Sequence, residues 1–112
     1  MSLGQALMPQ IYKRKIAEND LVACYIYLAE NATLTVADQF LVNAEVSFNE
    51  LAINPLMGSP LTLQNPKFSG MRKWRVKRFI NILIFYMPRN DGISIVRVIH
   101  ASQNWWGLLG LA

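Results

Sequence analysis

The sequence predicts an α+β fold: an N-terminal strand, an antiparallel two-helix hairpin, and then a three-stranded antiparallel meander forming one sheet. Three observations lead to this prediction. Two stretches in the first half of the chain repeat apolar residues at the period of a helix. Three stretches after Gly70 alternate, or run apolar, as strands do. A loop containing glycine and proline separates the halves, so the hairpin is expected to pack on one face of the sheet.

The first helix is predicted to follow a short strand over residues 10–16, where polar and apolar side chains alternate. Glu18, Asn19 and Asp20 stand just before an apolar stripe, and acidic residues favour the positive end of a helix. We therefore expect the helix to begin near Asp20 and to end at Asn31. Its stripe, at spacings i, i+3, i+4 and i+7, comprises Leu21, Cys24, Tyr25 and Leu28.

The second helix is expected to start at a weak capping box from Thr35 to Asp38. It should end at Asn54, because the following proline disfavours a helical conformation there. The connection between the two helices is short, so they are expected to lie antiparallel. The predicted buried face, with Phe40 beside it, comprises Ala37, Leu41, Ala44, Phe48 and Leu51.

The second half of the chain begins with a predicted loop over residues 56–69 and continues as three strands, at 71–77, 80–87 and 93–99. In the first of these, Arg72, Trp74 and Val76 share one face, and Lys73, Arg75 and Lys77 share the other. The second is a near-continuous apolar run, which is typical of a central strand. A turn over residues 88–92, with Asp-Gly supplying a positive φ, joins it to the third.

The length of 112 residues predicts one domain, which we place at residues 10–104. Residues 1–9 form a leader, expected to be flexible and to lie outside the fold. Residues 105–112 form an apolar tail that contains Trp105 and Trp106. Such a tail is expected either to fold back on its own domain or to meet another chain, which leaves a homodimer possible.

The composition restricts the partners and the setting. A net charge of +4 favours an acidic partner, either nucleic acid or an acidic protein. A single cysteine, Cys24, forms no disulfide within the chain, so a reducing cytoplasm is the simplest setting. With only one histidine, His100, we expect no metal site and no cofactor. No apolar run approaches the roughly 20 residues of a membrane helix, so we expect no membrane association.

Two sets of residues are candidates for function. Six of the eleven basic residues form a patch that could bind phosphates or an acidic partner: Lys67, Arg72, Lys73, Arg75, Lys77 and Arg78. The alternative is a solvated sheet face whose lysines deter edge pairing. His100 could exchange protons in a metal-free ribonuclease, with Arg72, Arg75 and Arg97 stabilising the phosphate. A structural histidine at a strand end is the favoured interpretation of His100.

Three stretches together resemble the RelE/ParE superfamily of toxins from type II toxin–antitoxin systems. "AENDLVACYIYLAENATLTVADQF" resembles the first helix and the entry to the second, and "FNELAINPLMG" the end of the second helix. "GMRKWRVKRFINILIFYMPRNDGISIVRVIHASQNW" resembles the Arg-bearing strand, the apolar strand ending in tyrosine and the Arg-Val-x-His strand. The resemblance covers roughly residues 10–104, and the ParE-like branch fits best.

The resemblance implies a cytoplasmic, growth-inhibiting toxin of the plasmid-stabilisation type, neutralised by a cognate acidic antitoxin. ParE-like toxins poison DNA gyrase, whereas RelE-like toxins are metal-independent endoribonucleases that cleave mRNA on the ribosome. RelE-like nucleases tend to have a tyrosine close to the C-terminus, but this chain has none after Tyr86. ParE-like chains usually continue with Gly-Ala-Arg-Asp-like residues, where this chain has Ala101, Ser102, Gln103 and Asn104. A degenerate toxin that retains only antitoxin binding is therefore a third interpretation.

We thus expect a toxin that acts by binding rather than by catalysis. Under the nuclease alternative alone, the catalytic residues would be His100, Arg97, Arg75 and Arg72. The residues expected to bind the target or the antitoxin are Arg72, Lys73, Arg75, Lys77, Arg78, Arg97, Trp105 and Trp106.

Overall fold

The computed structural model describes residues 8–61, 66–103 and 105–109, and the backbone alone of Trp105 and Trp106. The helices are α1 (Lys15–Asn31), α2 (Leu34–Ile53) and the short α3 (Trp105–Leu108), with a 3-10 turn at Pro66–Phe68. The strands are β1 (Gln10–Lys13), β2 (Ser59–Pro60), β3 (Arg72–Val76), β4 (Phe79–Arg89) and β5 (Gly92–His100). Most of the predicted leader, residues 1–7, lies outside the described residues.

The strands form one five-stranded sheet in the order β1-β5-β4-β3-β2. Strands β2 to β5 pair antiparallel, while β1 runs parallel to the first half of β5. The predicted α+β class, with a strand, a helical hairpin and then a meander, is confirmed. The prediction did not include the parallel pairing of β1 with β5, or the short strand β2, which lies inside the predicted loop. A parallel pair is possible here because the whole helical hairpin and the meander connect its two strands.

Helix α1 begins at Lys15, about one turn before the predicted start. The apolar stripe reaches back to Ala17, which is completely buried. The strand stops at Lys13, and the backbone N–H of Arg14 donates to the Ile95 carbonyl at 3.1 Å. The prediction of a strand through Ile16 and a helix start near Asp20 was therefore wrong. Asp20 lies within the helix and not at its N-terminus, so its carboxylate can pair with side chains of other elements.

Helix α2 is capped by Thr33, whose hydroxyl accepts from the backbone N–H of Val36 at 3.1 Å. The predicted capping box from Thr35 to Asp38 was wrong by two residues. Phe40 lies at the centre of the buried face, whereas Leu41 faces outward and is 39% exposed. The predicted face was thus rotated by one residue at this point.

Two apolar cores lie on opposite faces of the sheet. The larger lies between the sheet and the helical hairpin and includes Phe40, Phe48, Ile84 and Ile95, with Trp74 packed against it. The smaller lies on the open face and comprises Met71, Phe85, Val96, Ile99 and Leu109. Val76 and Trp74 therefore face the hairpin, which confirms the predicted alternation of β3.

The tail reaches the open face of the sheet. Leu109 is only 4% exposed and lies in the smaller core with Phe85 and Ile99. The tail was expected to contact its own domain or another chain, and this segment contacts its own domain. The contact described for Leu109 is with side chains of the sheet. Residues 110–112 lie outside the described part of the chain.

The predicted hairpin between β4 and β5 is confirmed, with Arg89 opposite Gly92. The positive φ, +155°, belongs to Gly92 at the start of β5. The backbone of β1 passes closely over this position, since the Gln10 N–H donates to the Asp91 carbonyl at 2.7 Å. A β-carbon at Gly92 would overlap the Gln10 carbonyl, so glycine is required for the approach of β1 as well as for its φ.

Candidate partner-binding site

Charge is divided between the two layers of the fold. Six of the seven acidic residues lie in α1 and α2, and residues 16–66 contain no lysine, arginine or histidine. Of the eleven basic residues, only Lys15 lies in one of these helices, at the first position of α1. The helical layer is therefore acidic, and the sheet with its turns carries the positive charge. An acidic partner is attracted to the sheet side of the molecule.

The end of β3 and the turn after it form an accessible positive surface. Arg75, Lys77 and Arg78 are all exposed. The Arg75 guanidinium lies 5.6 Å from the centroid of the Trp74 ring, within the range of a cation–π contact. The Lys77 ammonium lies 3.5 Å from the Glu50 carboxylate, in an exposed pair that contributes little to stability. We call Arg75, Lys77 and Arg78 the basic turn.

Arg72 and Lys73, at the start of the same strand, are half-buried. The Arg72 Nη1 donates to the carbonyls of Gly58 at 2.6 Å and Leu56 at 3.2 Å. The Tyr86 hydroxyl binds the same loop, donating to the Pro55 carbonyl at 2.7 Å and accepting from the Gly58 N–H at 2.9 Å. Burial raises the pKa of Tyr86, so the hydroxyl stays protonated and can donate. Arg72 therefore holds the loop after α2 in place.

Arg97 forms the best-organised ion pair of the described chain. Its Nε and Nη2 donate to the two carboxylate oxygens of Asp20 at 2.7 and 3.0 Å, and both side chains are only 14% exposed. The Asp20 carboxylate also accepts from the Val98 backbone N–H at 3.0 Å. Strand β1 ends opposite Ile95, so Asp20 binds an edge N–H of β5 beyond the end of β1. The hydrogen bonds that Arg97 donates to the Asp20 carboxylate raise the pKa of Arg97 still further.

A groove of about 650 Å³ lies between α1 and the ends of β4 and β5. We call it the α1–β5 groove. Its apolar surface comes from Ala23, Cys24, Tyr27, Leu28, Phe79, Ile80, Ile82, Val98 and Leu108. Its polar groups come from Asp20, Arg78, Asn81, Arg97, His100, Ser102 and Gln103. The groove therefore joins the Asp20–Arg97 pair to one member of the basic turn, Arg78.

His100 lines this groove with one ring nitrogen already engaged. Its Nδ1 accepts from the Ser102 backbone N–H at 3.1 Å and lies 2.7 Å from the Ser102 hydroxyl. Because a backbone N–H can only donate, the neutral ring carries its proton on Nε2. The residues proposed for the nuclease alternative are divided by the fold. His100 and Arg97 share the groove, whereas Arg72 and Arg75 are not among the described residues that line it.

Cys24 lies on the α1 wall of the groove as a half-buried thiol. Burial, reinforced by the nearby Asp20 carboxylate, raises the pKa of Cys24 to about 11. The thiol is therefore almost entirely protonated at neutral pH and is a poor nucleophile. Across the described ranges, no three His, Cys, Asp or Glu side chains are placed to hold a metal ion. No helix in the described part is long and apolar enough to cross a membrane.

The sequence matches the family described as "ParE toxin of type II toxin-antitoxin system, parDE" over residues 11–105. The chain belongs to the ParE toxin family. This match confirms the resemblance to the RelE/ParE superfamily and to its ParE-like branch. A solved structure entitled "Chromosomal ParDE TA system from P. aeruginosa" is similar in fold, with a TM-score of 0.68 and 18% identity. The alignment covers 85% of this chain and 98% of that chain. No curated protein sequence matches the chain.

The groove contains two features of this ParE-family chain that the sequence analysis missed. Asp20 was assigned to the start of a helix, and its pairing with Arg97 brings together positions 77 residues apart. No local pattern indicates such a pair. Ile80, which is 65% exposed beside the basic turn, was assigned to the apolar run of a central strand. The break in that run at Asn81 was the available signal, because it marks the point where β4 leaves its regular pairing with β3.

Proposed function

We propose that this member of the ParE toxin family inhibits growth by binding DNA gyrase in the cytoplasm, and that a cognate acidic antitoxin neutralises it. Family membership supports the general assignment. The observation that supports binding over catalysis is the bidentate Asp20–Arg97 pair. An arginine that must stabilise charge developing on a phosphate needs free donors. Here two of the Arg97 donors, together with the positive charge, are engaged by a carboxylate of the same domain.

The other arginines of the catalytic alternative support the same conclusion. Arg72 donates to two loop carbonyls, so it is placed for structure rather than for an incoming phosphate. Arg75 is free in solvent beside Trp74, outside the groove that contains His100. A general acid in the groove would thus act without these two guanidinium groups. The arrangement fits recognition of a partner surface better than cleavage of RNA.

The division of charge supports an acidic antitoxin on the sheet side. The basic turn presents three exposed cations next to the exposed side chain of Ile80. A positive rim around an apolar contact is suited to an amphipathic acidic segment. The acidic helical layer, which has no basic residue after Lys15, would repel the same segment. We therefore place the antitoxin across the basic turn and the adjoining groove.

One observation favours the ribonuclease alternative as the second candidate. The α1–β5 groove brings His100, Arg97 and Arg78 to one place, with a proton on His100 Nε2 in the neutral ring. A proton donor beside cations could assist the leaving group of a phosphodiester. This candidate predicts RNA cleavage that is lost in His100→Ala.

A supercoiling assay with purified DNA gyrase tests the proposal. We expect the full-length protein to inhibit supercoiling in a dose-dependent manner. Arg75→Glu should weaken inhibition at least tenfold, because it reverses one charge in the basic turn. Lys15→Glu is the matched control, since it makes the same charge change on the acidic layer. No inhibition of supercoiling at micromolar protein, or equal weakening by both variants, would contradict the proposal.

A further inference from the structure

Charge is distributed unevenly along the chain as well as between its two layers. Residues 51–112 contain eight of the eleven basic residues but only one of the seven acidic residues, Asp91. Asp91 lies in the turn after β4, at the opposite end of that strand from the basic turn, and it accepts a hydrogen bond from the Tyr12 hydroxyl. An asymmetry of this kind between the halves of a chain favours nucleic acid or another extended anionic surface as a partner.

The basic turn is anchored to the helical layer through its backbone. The Ser47 hydroxyl accepts from the Lys77 backbone N–H at 2.8 Å and donates to the Asn43 carbonyl at 2.7 Å. Ser47 is almost fully buried, with 1% of its surface exposed. The three cationic side chains of the turn are nevertheless exposed. Because its backbone is already ordered, the turn loses little backbone freedom when it meets a partner.

Arg78 has an unusual backbone conformation for its residue type. It is the second residue of the two-residue turn between β3 and β4, and its φ is +66°. No other non-glycine residue has a positive φ in the described part of the chain. Such positions favour glycine or asparagine, because a β-carbon is crowded by the backbone there. A strained arginine on an exposed positive surface points to a use for its guanidinium.

Two of the three cations of the basic turn have no carboxylate partner. Within the described ranges neither Arg75 nor Arg78 forms an ion pair, and Lys77 forms only the exposed pair with Glu50. The groove beside Arg78 adds neutral side chains of the types that hydrogen-bond to phosphate oxygens, namely Asn81, Ser102 and Gln103. Cations flanked by neutral hydrogen-bonding groups suit a phosphate backbone.

The aromatic side chains of the sheet favour a duplex over a single strand. Proteins that bind single strands stack the bases on exposed aromatic rings. Among the strand residues, only Tyr12 is an exposed aromatic, and it lies on the edge strand β1, across the sheet from β3. Trp74, Phe79, Phe85 and Tyr86 are buried or half-buried. Exposed cations without exposed rings favour the duplex backbone, which carries roughly one charge per 1.7 Å of its axis.

We propose that the basic turn binds the phosphate backbone of duplex DNA, without reading base sequence, through Arg75, Lys77 and Arg78. The acidic helical layer is repelled by the duplex, so it faces away and fixes which side of the protein approaches DNA. Gyrase holds duplex DNA while it acts, so a bound toxin would contact both the enzyme and its DNA. The inference rests on the proposed function for this ternary complex and deepens it, whereas the DNA contact itself is measured without gyrase.

Fluorescence anisotropy with a labelled duplex of mixed sequence, about 20 base pairs long, measures binding by the full-length protein. Three phosphate contacts give a slope of roughly −2.7 for the logarithm of the binding constant against the logarithm of salt concentration. Binding should therefore weaken roughly 40-fold between about 50 and 200 mM salt, with a Kd of roughly 1–100 µM at physiological salt. A duplex of unrelated sequence should bind within twofold.

Single charge-removing variants test each contact. Arg75→Gln should lower the slope by about 0.9, so that the same change in salt weakens binding only about 12-fold. Arg78→Asn should do the same, since asparagine tolerates a positive φ but carries no charge. Arg78→Lys should keep the original slope, because phosphate also binds an ammonium. Lys15→Gln is the matched control, because it removes one charge from the helical layer, and its slope should not change.

Several results would overturn the proposal. A slope near zero, or an unchanged slope in both Arg75→Gln and Arg78→Asn, would show that the basic turn does not contact phosphates. Equal or tighter binding of a single strand of the same length would contradict the choice of a duplex. Equal competition by polyglutamate of the same total charge would mean that any acidic chain is recognised. Tighter binding to vesicles rich in phosphatidylserine would make a membrane surface the partner.

Failure of this inference is distinguishable from failure of the proposed function. Duplex binding as expected, without inhibition of gyrase, would leave the DNA contact in place and refute the target. Inhibition of gyrase by a protein that does not bind the duplex would refute the DNA contact and leave the target in place.

Discussion

The Asp20–Arg97 pair predicts a large loss of stability from a very small change, Asp20→Asn. The substitution keeps the shape of the side chain and one acceptor oxygen, but it removes the negative charge. Arg97 would then be 14% exposed without a counter-charge, and the bidentate contact at 2.7 and 3.0 Å would be reduced to a single acceptor. The link from α1 to the end of β5 would weaken with it.

The expected magnitude follows from the burial of the pair. Exposed ion pairs contribute about 0–1 kcal/mol, whereas removing one partner of a buried pair costs about 3–5 kcal/mol. With both side chains 14% exposed and a backbone N–H sharing the carboxylate, we expect a loss of about 2–4 kcal/mol. A domain of 112 residues has a total stability of roughly 6–17 kcal/mol, so this loss is a substantial part of it.

Urea denaturation measures this loss directly. At about 1–2 kcal/mol per molar of urea, a loss of about 3 kcal/mol lowers the midpoint by roughly 1.5–3 M with an unchanged slope. Glu18→Gln is the matched control, since Glu18 is exposed on the same helix, and it should change stability by less than about 0.5 kcal/mol. Asp20→Leu with Arg97→Met should recover most of the loss, because the uncompensated charge is gone. A midpoint for Asp20→Asn equal to that of Glu18→Gln would refute the reasoning. It would mean that the pairing of Arg97 with Asp20 does not stabilise the fold.

Three further predictions test other parts of the fold. Tyr86→Phe should cost about 1–3 kcal/mol in urea denaturation, because two polar groups of the loop after α2 lose their partner; a loss below 0.5 kcal/mol would mean that the loop is held by other contacts. Val76→Ala should cost about 1–3 kcal/mol while Arg75→Ala stays within about 0.5 kcal/mol, and the reverse order in thermal melts would show that the faces of β3 are exchanged. Cys24, with its pKa raised to about 11, should be alkylated by iodoacetamide at pH 8 roughly 100-fold more slowly than an unperturbed thiol. Because the unfolded thiol ionises near pH 9 and the folded thiol near 11, its contribution to stability is present below pH 9 and is lost between pH 9 and 11; a Cys24→Ala variant with the same loss over that range would show that the thiol is not its cause.

The order and type of the elements could be predicted because they depend on local patterns. The 3.6-residue period of α1 and α2 and the alternation of β3 each follow from one buried face. The first and last residues of the elements were harder to predict from the sequence. The start of α1 depends on β1 ending opposite Ile95, which is a tertiary contact. The capping residue of α2 was misplaced because Thr33 and Thr35 are equally good candidates in sequence.

The sequence predicted only part of the candidate site, and the reason differs from the one that limited the element boundaries. The basic composition of β3 indicated an acidic partner, and Arg75, Lys77 and Arg78 are indeed exposed. The sequence could not separate these basic residues from Arg72 and Arg97. The difference lies in the partners of Arg72, which are the carbonyls of Leu56 and Gly58, and in the partner of Arg97, which is the carboxylate of Asp20. The positive φ of Arg78 was equally hidden, since arginine is not a residue that predicts it. The roles of Trp105 and Trp106 in binding stay predictions.

Expression of the chain in a bacterial host, without an antitoxin, provides the most direct test of binding against catalysis. Two quantities are measured after induction: the supercoiling of a reporter plasmid and the 5′ ends of cellular mRNA. The account predicts growth arrest with loss of negative supercoiling, no new mRNA ends within reading frames, and the same result for His100→Ala. Normal supercoiling together with new mRNA ends that disappear in His100→Ala would contradict it in favour of a ribonuclease. Normal growth would contradict it in favour of a degenerate toxin.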